Sequence, residues 1–147
     1  MKIALTATTM LAAALAGCHG QGSMQGKSPT VKEVLGFSLP SYVVRSEFSV
    51  ERGMDLLAYL KVEVPQEKLN SFLEISPLFP TPDPARSEPI RFASYNTTQK
   101  WWTPGELATP SYGSKEGRRD KWTTSSYLAV SCSAVTCLLY FIYMEEA

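Results

Sequence analysis

The middle of the chain contains two segments in which apolar and polar residues alternate with a period of two, as they do in half-buried strands. These segments are residues 42–50 and 54–64, and residues 51–53 between them end in a glycine, which suits the left-handed position of a hairpin loop. We therefore predict a β-hairpin in which Phe48 lies opposite Leu56, because this register places the apolar residues of both strands on the same face.

A short helix is predicted on each side of this hairpin. The first follows a capping Ser28, has Pro29 at its first helical position and ends at Gly36. The second begins at Pro65 and ends at Pro77. Their apolar residues recur at helical spacing: Val31, Val34 and Leu35 in the first, and Leu69, Phe72 and Leu73 in the second.

Residues 127–144 are eighteen consecutive residues without a formal charge, which meets the lower bound for a membrane-spanning helix. Their centre is polar, however, and each half alternates as a strand does. With residues 133–136 as the turn, the following pairs would face each other: Cys132 and Cys137, Val130 and Leu139, and Leu128 and Phe141. We predict this buried hairpin and keep a membrane helix as the alternative.

The order hairpin, helix, hairpin predicts one α+β domain over residues 29–147. We expect two layers, with an antiparallel sheet of about four strands and helix cover on one face. Residues 77–89 contain five prolines, which supply no backbone N–H to a sheet, so this segment is predicted to be an irregular rim. Residues 90–121 show no clear pattern.

The amino-terminal residues are of a different kind. Lys2 supplies one positive charge, an uncharged run follows over residues 3–14, and Leu15-Ala16-Gly17-Cys18 comes next. This order resembles the signal peptide and lipobox of bacterial lipoproteins. The resemblance implies that residues 1–17 are removed, that the Cys18 thiol carries a thioether-linked lipid, and that the new amino terminus is acylated. An ordinary secretory signal that contains a cysteine is the alternative.

The lipoprotein resemblance also indicates a location in the bacterial cell envelope. In such lipoproteins an Asp after the lipidated cysteine retains the protein at the inner membrane, and this chain has His19 there, which favours the outer membrane facing the periplasm. Residues 18–28 contain several glycines and are predicted to be a flexible tether, with an r.m.s. reach of roughly 17 Å over ten residues. The domain is therefore expected to lie near the membrane surface without being embedded in it.

Further likeness lies in four short motifs: Leu39-Pro40, Val64-Pro65, Leu69 with Phe72-Leu73, and Trp101-Trp102-x-Pro104. In these motifs the chain resembles small bacterial lipoproteins of unknown function. The likeness supports the architecture and transfers no activity.

The chain has three cysteines. Because the resemblance assigns Cys18 to the lipid, Cys132 and Cys137 are left as a pair in an oxidising compartment. On one helix, positions five apart would point about 140° away from each other. Across a four-residue turn they face each other at a disulfide-compatible distance. We predict a structural disulfide, with free buried thiols or a redox pair as the alternatives.

Composition and motifs exclude several classes of function. The chain has 14 basic and 14 acidic residues, which excludes a strongly basic nucleic-acid binder, and 44% hydrophobic residues are too many for a disordered polymer. It has no G-x-S-x-G, P-loop, G-x-G-x-x-G or H-E-x-x-H motif. The one histidine, His19, lies in the predicted tether. We therefore predict no metal site, no cofactor, no catalytic residue and no enzymatic activity.

The candidate binding surface consists of two groups of residues. Trp101 and Trp102 suit stacking on an envelope glycan or contact with a protein partner, although one of them could instead fill the edge of the core. The basic group suits lipid head groups or acidic glycan, and is otherwise a solvated loop: Lys115, Arg118, Arg119 and Lys121.

These patterns predict a lipid-anchored envelope protein whose domain is a non-catalytic binding module for a protein partner, an envelope polymer or a toxin. Two alternatives are kept. One is a small envelope hydrolase that uses carboxylate or tyrosine chemistry across residues 90–121. The other is a structural component of an envelope assembly that pairs through its strand edges.

Overall fold

The computed structural model of the protein describes residues 28–87, residue 92 and residues 98–147. The predicted signal peptide, residues 1–17, and the predicted lipid attachment at Cys18 lie outside the described residues. The predicted tether lies outside them too, apart from Ser28.

Five strands form one antiparallel sheet in the order β1-β2-β5-β4-β3. Their bounds are β1 (Arg45–Arg52), β2 (Leu56–Pro65), β3 (Ser111–Arg119), β4 (Trp122–Cys132) and β5 (Thr136–Glu146). The helices are α1 (Val31–Leu35) and α2 (Leu69–Leu73), with 3₁₀ turns at Gln66–Lys68 and Pro104–Glu106. Among the residues that the structure describes, no helix has the length and apolar character needed to span a membrane.

The predicted antiparallel sheet is confirmed, but it has five strands where about four were expected, and the protein is mostly β with little helix. The additional strand is β3, which lies in the region where the sequence shows no clear pattern. It contains four charged residues and two glycines, so no apolar alternation marks it. β3 forms because β4 pairs with it along its whole length, from Ser111 opposite Val130 to Arg119 opposite Trp122.

The two predicted hairpins differ in how accurately their registers were predicted. In the carboxy-terminal hairpin, Cys132 lies opposite Cys137, as predicted, and the pairing continues through β4 and β5. In the first hairpin, Phe48 lies opposite Leu60, so the predicted partner Leu56 is wrong. The partner is displaced by four positions, and an even displacement keeps the same apolar faces together. Alternation alone therefore could not distinguish the two registers.

The start of α1 is fixed by a capping box at Thr30, two residues later than the predicted cap at Ser28. The Thr30 hydroxyl accepts a hydrogen bond from the Glu33 backbone N–H at 3.3 Å, and the Glu33 carboxylate accepts one from the Thr30 N–H at 2.7 Å. The predicted end is confirmed, because Gly36 adopts the left-handed conformation with φ +79°.

The second helical region is shorter than predicted. Pro65 closes β2 in extended backbone (φ −54°, ψ 141°) instead of opening a helix. A 3₁₀ turn follows, and α2 then ends at Leu73. In the predicted proline-rich rim, the described residues 77–87 have irregular backbone, as predicted, with one isolated bridge between Asp83 and Tyr112.

Apolar residues are buried on both faces of the sheet. One face, here called the helix side, packs against α1, α2 and Phe79. The other face, called the tryptophan side, packs against Phe92 and Trp102. Because β4 and β5 are covered on both faces, they are nearly continuous runs of buried residues, and this explains the long uncharged stretch in residues 127–144.

Candidate binding surface

The two adjacent tryptophans have different environments. Trp102 is 8% exposed and belongs to the core of the tryptophan side. Its ring meets those of Tyr59 and Tyr140 edge-on, each at 5.1 Å between centroids, and lies parallel to Phe92 at 6.2 Å. The buried Trp102 Nε1 has no hydrogen-bond acceptor among the described residues. Trp102 therefore fills the core, which is the alternative that the sequence left open.

Trp101 is only partly buried and is the member of the pair that a partner can reach. Its ring packs edge-on against Trp102 at 5.8 Å, and its backbone carbonyl accepts a hydrogen bond from Lys61 Nζ at 3.3 Å. Lys61 also forms an ion pair with Glu47 at 3.5 Å and lies 5.4 Å from the centre of the Tyr140 ring. The polypeptide at Trp101 is thus held against β2.

The four basic candidates lie on the β3–β4 hairpin and not in one loop. Lys115, Arg118 and Arg119 belong to β3, and Lys121 lies in the turn, next to Asp120 with φ +54°. Side chains alternate along a strand, so Lys115 and Arg119 face the helix side while Arg118 faces the opposite way. The structure therefore does not bring the tryptophans and the basic residues together into one surface.

Each basic residue has its own contacts. Lys115 Nζ donates a hydrogen bond to the Pro77 carbonyl at 2.7 Å. Lys121 Nζ lies 5.5 Å from the centre of the Trp122 ring. Arg118 makes no ion pair or hydrogen bond through its side chain to any residue that the structure describes.

Arg119 belongs to a network that joins the hairpin to β5 and α1. Its Nη1 donates to Glu145 Oε1 at 3.1 Å and to the Val34 carbonyl at 3.4 Å. The Tyr143 hydroxyl donates to the same Glu145 oxygen at 2.8 Å. Burial, followed by the hydrogen bond to Glu145, raises the pKa of Tyr143 to about 12. The phenol therefore stays protonated near neutral pH and acts as a hydrogen-bond donor to the carboxylate.

A cleft of about 200 Å³ opens on the helix side, between the β3–β4 hairpin and the chain at Pro77 and Leu78. Two of the basic candidates, Lys115 and Arg118, line this cleft. The remaining lining residues were not predicted from the sequence: Pro77, Leu78, Glu116, Gly117, Thr124 and Ser126. The sequence contained one signal for these residues. Thr124 and Ser126 are polar although they lie on the same face of β4 as the apolar Leu128 and Val130.

The opposite end of β4 carries the predicted disulfide, which is confirmed. Cys132 and Cys137 are bonded, with 2.00 Å between the Sγ atoms and 4.0 Å between the Cα atoms. Ser133 organises the turn, since its hydroxyl accepts hydrogen bonds from the backbone N–H groups of Val135 at 3.2 Å and Thr136 at 3.1 Å. In the described part of the chain, no group of three His, Cys, Asp or Glu residues could hold a metal ion.

The chain matches no known family model, no curated protein and no solved structure. Its function is therefore inferred from the cleft, the hairpin and the amino-terminal motif.

Proposed function

We propose that this is a lipid-anchored protein of the bacterial cell envelope, and that its domain is a non-catalytic binding module. The anchor is Cys18, lipidated after removal of residues 1–17, and the outer membrane facing the periplasm is the proposed location. The binding role rests on one observation: Lys115, selected from the sequence as a candidate ligand contact, lines a cleft on the helix side of the sheet.

The proposed binding surface is the β3–β4 hairpin with its cleft. Trp102 is excluded from direct contact by its burial, while Trp101 is retained as a secondary contact for a protein partner or a glycan. No nucleic acid is proposed as a ligand, because the charge of the chain is balanced.

The position of the hairpin relative to α1 supports a role near the membrane. Arg119 contacts the carbonyl of Val34 in α1, and α1 is the first element after the predicted tether. The β3–β4 hairpin therefore contacts the first element that follows the proposed anchor. The Cys132–Cys137 disulfide fits an oxidising compartment such as the periplasm.

Two finer points belong to the same proposal. The two-layer α+β description of the domain is supported by α1 and α2, which pack on the same face of the sheet. A structural role in an envelope assembly is the second candidate function. The two edges of the sheet favour it, because the edge strands β1 and β3 each pair with a neighbouring strand on one side only.

The anchor is tested by expressing the full-length chain and its Cys18→Ala variant in a bacterium with an outer membrane. We expect the wild-type chain in the membrane fraction, with an amino-terminal peptide that begins at Cys18 and carries the mass of the acyl groups. The variant should lack this peptide. A wild-type chain that keeps Met1, or that begins elsewhere without lipid, would contradict the proposed anchor.

The binding role is tested by capture of envelope components on the immobilised full-length chain. We expect a component that is retained by the wild type and lost with Lys115→Ala/Arg118→Ala. The matched control is Arg45→Ala/Arg52→Ala, which removes two cations from the distant edge strand β1. Equal recovery by both double variants would contradict the assignment of the binding surface.

A further inference from the structure

The floor of the cleft is made of hydroxyl groups beside one ammonium group. Thr124 and Ser126 on β4 are 7% and 4% exposed and line the cleft. Ser126 lies directly opposite Lys115, and Thr124 lies opposite Gly117. Cross-strand neighbours on one face are about 5 Å apart at their Cβ atoms. Three groups that can donate hydrogen bonds are therefore placed side by side.

Gly117 keeps this floor accessible. A Cβ atom at this position would lie 3.1 Å from Thr124 Oγ1, and no backbone atom lies within 4 Å of it. Gly117 has no positive φ, so the backbone conformation does not require a glycine. Glycine inside a strand often marks a place where a ligand or another backbone approaches closely. Here no backbone approaches, and the space opens into the cleft.

Gly113, on the same strand, shows the contrasting case. A Cβ atom there would lie 2.6 Å from the carbonyl oxygen of Thr81, so the crossing chain explains why this residue is a glycine. At Gly117 no backbone is that close: the nearest atom to the Cβ position is the Thr124 hydroxyl oxygen, at 3.1 Å. A side chain at Gly117 would therefore crowd a hydroxyl group that lines the cleft.

The charges favour an anion. Lys115 donates to the Pro77 carbonyl, and its ammonium has further N–H groups for a ligand. Glu116 and Arg118 also line the cleft, but both positions face the opposite side of β3 and their charges cancel, so Lys115 supplies the net positive charge. Arg119 forms an ion pair with Glu145, so its charge is not counted among those available to a ligand.

The volume of the cleft and the apolar residues on its opposite wall limit the size and chemistry of the ligand further. Pro77 and Leu78 form an apolar side. The volume of about 200 Å³ is smaller than that of pockets for drug-sized ligands, which is roughly 300–1,000 Å³.

We propose that this cleft binds a small amphiphilic anion: its carboxylate or phosphate lies on Lys115, Thr124 and Ser126, and a short apolar part lies on Pro77 and Leu78. The inference rests on the proposed binding function and names the ligand class. Such a group is available in the envelope either free in solution or as the head group of an anionic lipid.

The test uses the full-length lipidated chain in neutral detergent, with butyl phosphate as the probe and saturation-transfer NMR as the measure of binding. We expect butyl phosphate to bind more tightly than inorganic phosphate, and butanol not to bind. Lys115→Met should weaken binding about tenfold or more, the effect of losing a charge-assisted hydrogen bond. Gly117→Ala should weaken it by about the same factor, because its Cβ atom would lie 3.1 Å from the Thr124 hydroxyl and crowd the floor of the cleft. Circular dichroism checks that each variant is folded.

Gly105→Ala is the matched control, because a Cβ atom there meets nothing within 4 Å and the residue has no positive φ. It should bind the probe as the wild type does. The proposal is overturned if butyl phosphate does not bind, or if Gly117→Ala binds it as Gly105→Ala does. Capture of an envelope component that depends on Lys115 and Arg118, without any binding of butyl phosphate, would overturn this inference and leave the binding function standing.

Reconstitution distinguishes the two sources of the anion. In phosphatidylcholine vesicles the lipidated chain should bind butyl phosphate. If added phosphatidylglycerol abolishes this binding, a lipid head group occupies the cleft; if it has no effect, the ligand is a free anion. In both cases the chemistry of the proposed site is supported, and failure to bind in phosphatidylcholine overturns it.

Discussion

Replacing Trp102 by alanine should destabilise the domain severely, whereas the same replacement at Trp101 should have a small effect. Trp102 packs against four aromatic rings and is 8% exposed, so its removal leaves a large cavity on the tryptophan side. Truncation of a buried Trp costs about 3–5 kcal/mol in the free energy of unfolding. Trp101 is partly buried, and its removal costs about 1–2 kcal/mol, from one aromatic contact and limited apolar area.

The Trp102→Phe variant separates two contributions of Trp102 to the free energy of unfolding: the packing of its ring and the burial of its unpaired N–H group. The buried Nε1 has no acceptor among the described residues, so phenylalanine removes an unsatisfied donor together with part of the ring. We expect this variant to lose clearly less stability than Trp102→Ala.

The assay is urea unfolding followed by far-UV circular dichroism, because this signal comes mainly from the backbone, whereas tryptophan fluorescence would change directly with the tryptophan removed. The midpoint and the slope are compared for the wild type and the three variants. If Trp101→Ala and Trp102→Ala lower the free energy of unfolding equally, the division of the pair into a core residue and a surface residue is refuted.

Three further predictions concern the disulfide, the end of α1 and the buried phenol. Replacing Cys132 and Cys137 by alanine should lower the free energy of unfolding by roughly 2 kcal/mol, the chain-entropy estimate for so short a loop, and thiol titration of the denatured, non-reduced wild type should find neither of these thiols free. Gly36→Ala should cost about 1 kcal/mol, measured by thermal unfolding, because φ is +79° at this position. Burial raises the pKa of Tyr143 from 10.0 to about 12, so the folded state holds its proton more tightly than the unfolded state does. The stability contributed by the protonated phenol is therefore complete below pH 10.0 and decreases as the pH rises towards about 12, and Tyr143→Phe should flatten this decrease in urea midpoints.

The sequence predicted the register of the carboxy-terminal hairpin, although not the earlier start of β4 at Trp122, because several independent constraints agree there. The turn length, the alternation on both sides and the cysteine pair all select one register, with Cys132 opposite Cys137. In the first hairpin only alternation and a loop glycine were available. A displacement of four positions satisfies the alternation equally well, so the predicted partner of Phe48 was wrong.

The candidate surface was predicted only in part, for a reason of chain geometry. The cleft joins Pro77 and Leu78 to strand residues that lie far from them in the sequence, such as Lys115 and Thr124. Charge selected Lys115, but no local pattern shows which distant segment covers the strand. Trp101 and Trp102 show the same limit, because two adjacent identical side chains give no local signal as to which one is buried.

The missed strand and the missed floor of the cleft have one cause. Gly113 and Gly117 deprive β3 of side chains at two positions on the helix side, and glycine in a strand costs roughly 0.5–1 kcal/mol relative to alanine. At Gly113 this cost is offset because the absence of a side chain lets the backbone at Thr81 pack against the strand. At Gly117 no backbone atom occupies the corresponding space. Local rules of sequence are most often broken at functional or strained positions, and Gly117 has no positive φ that would indicate strain. The feature that hid β3 from sequence analysis is thus the feature that leaves the Thr124 hydroxyl open to a ligand.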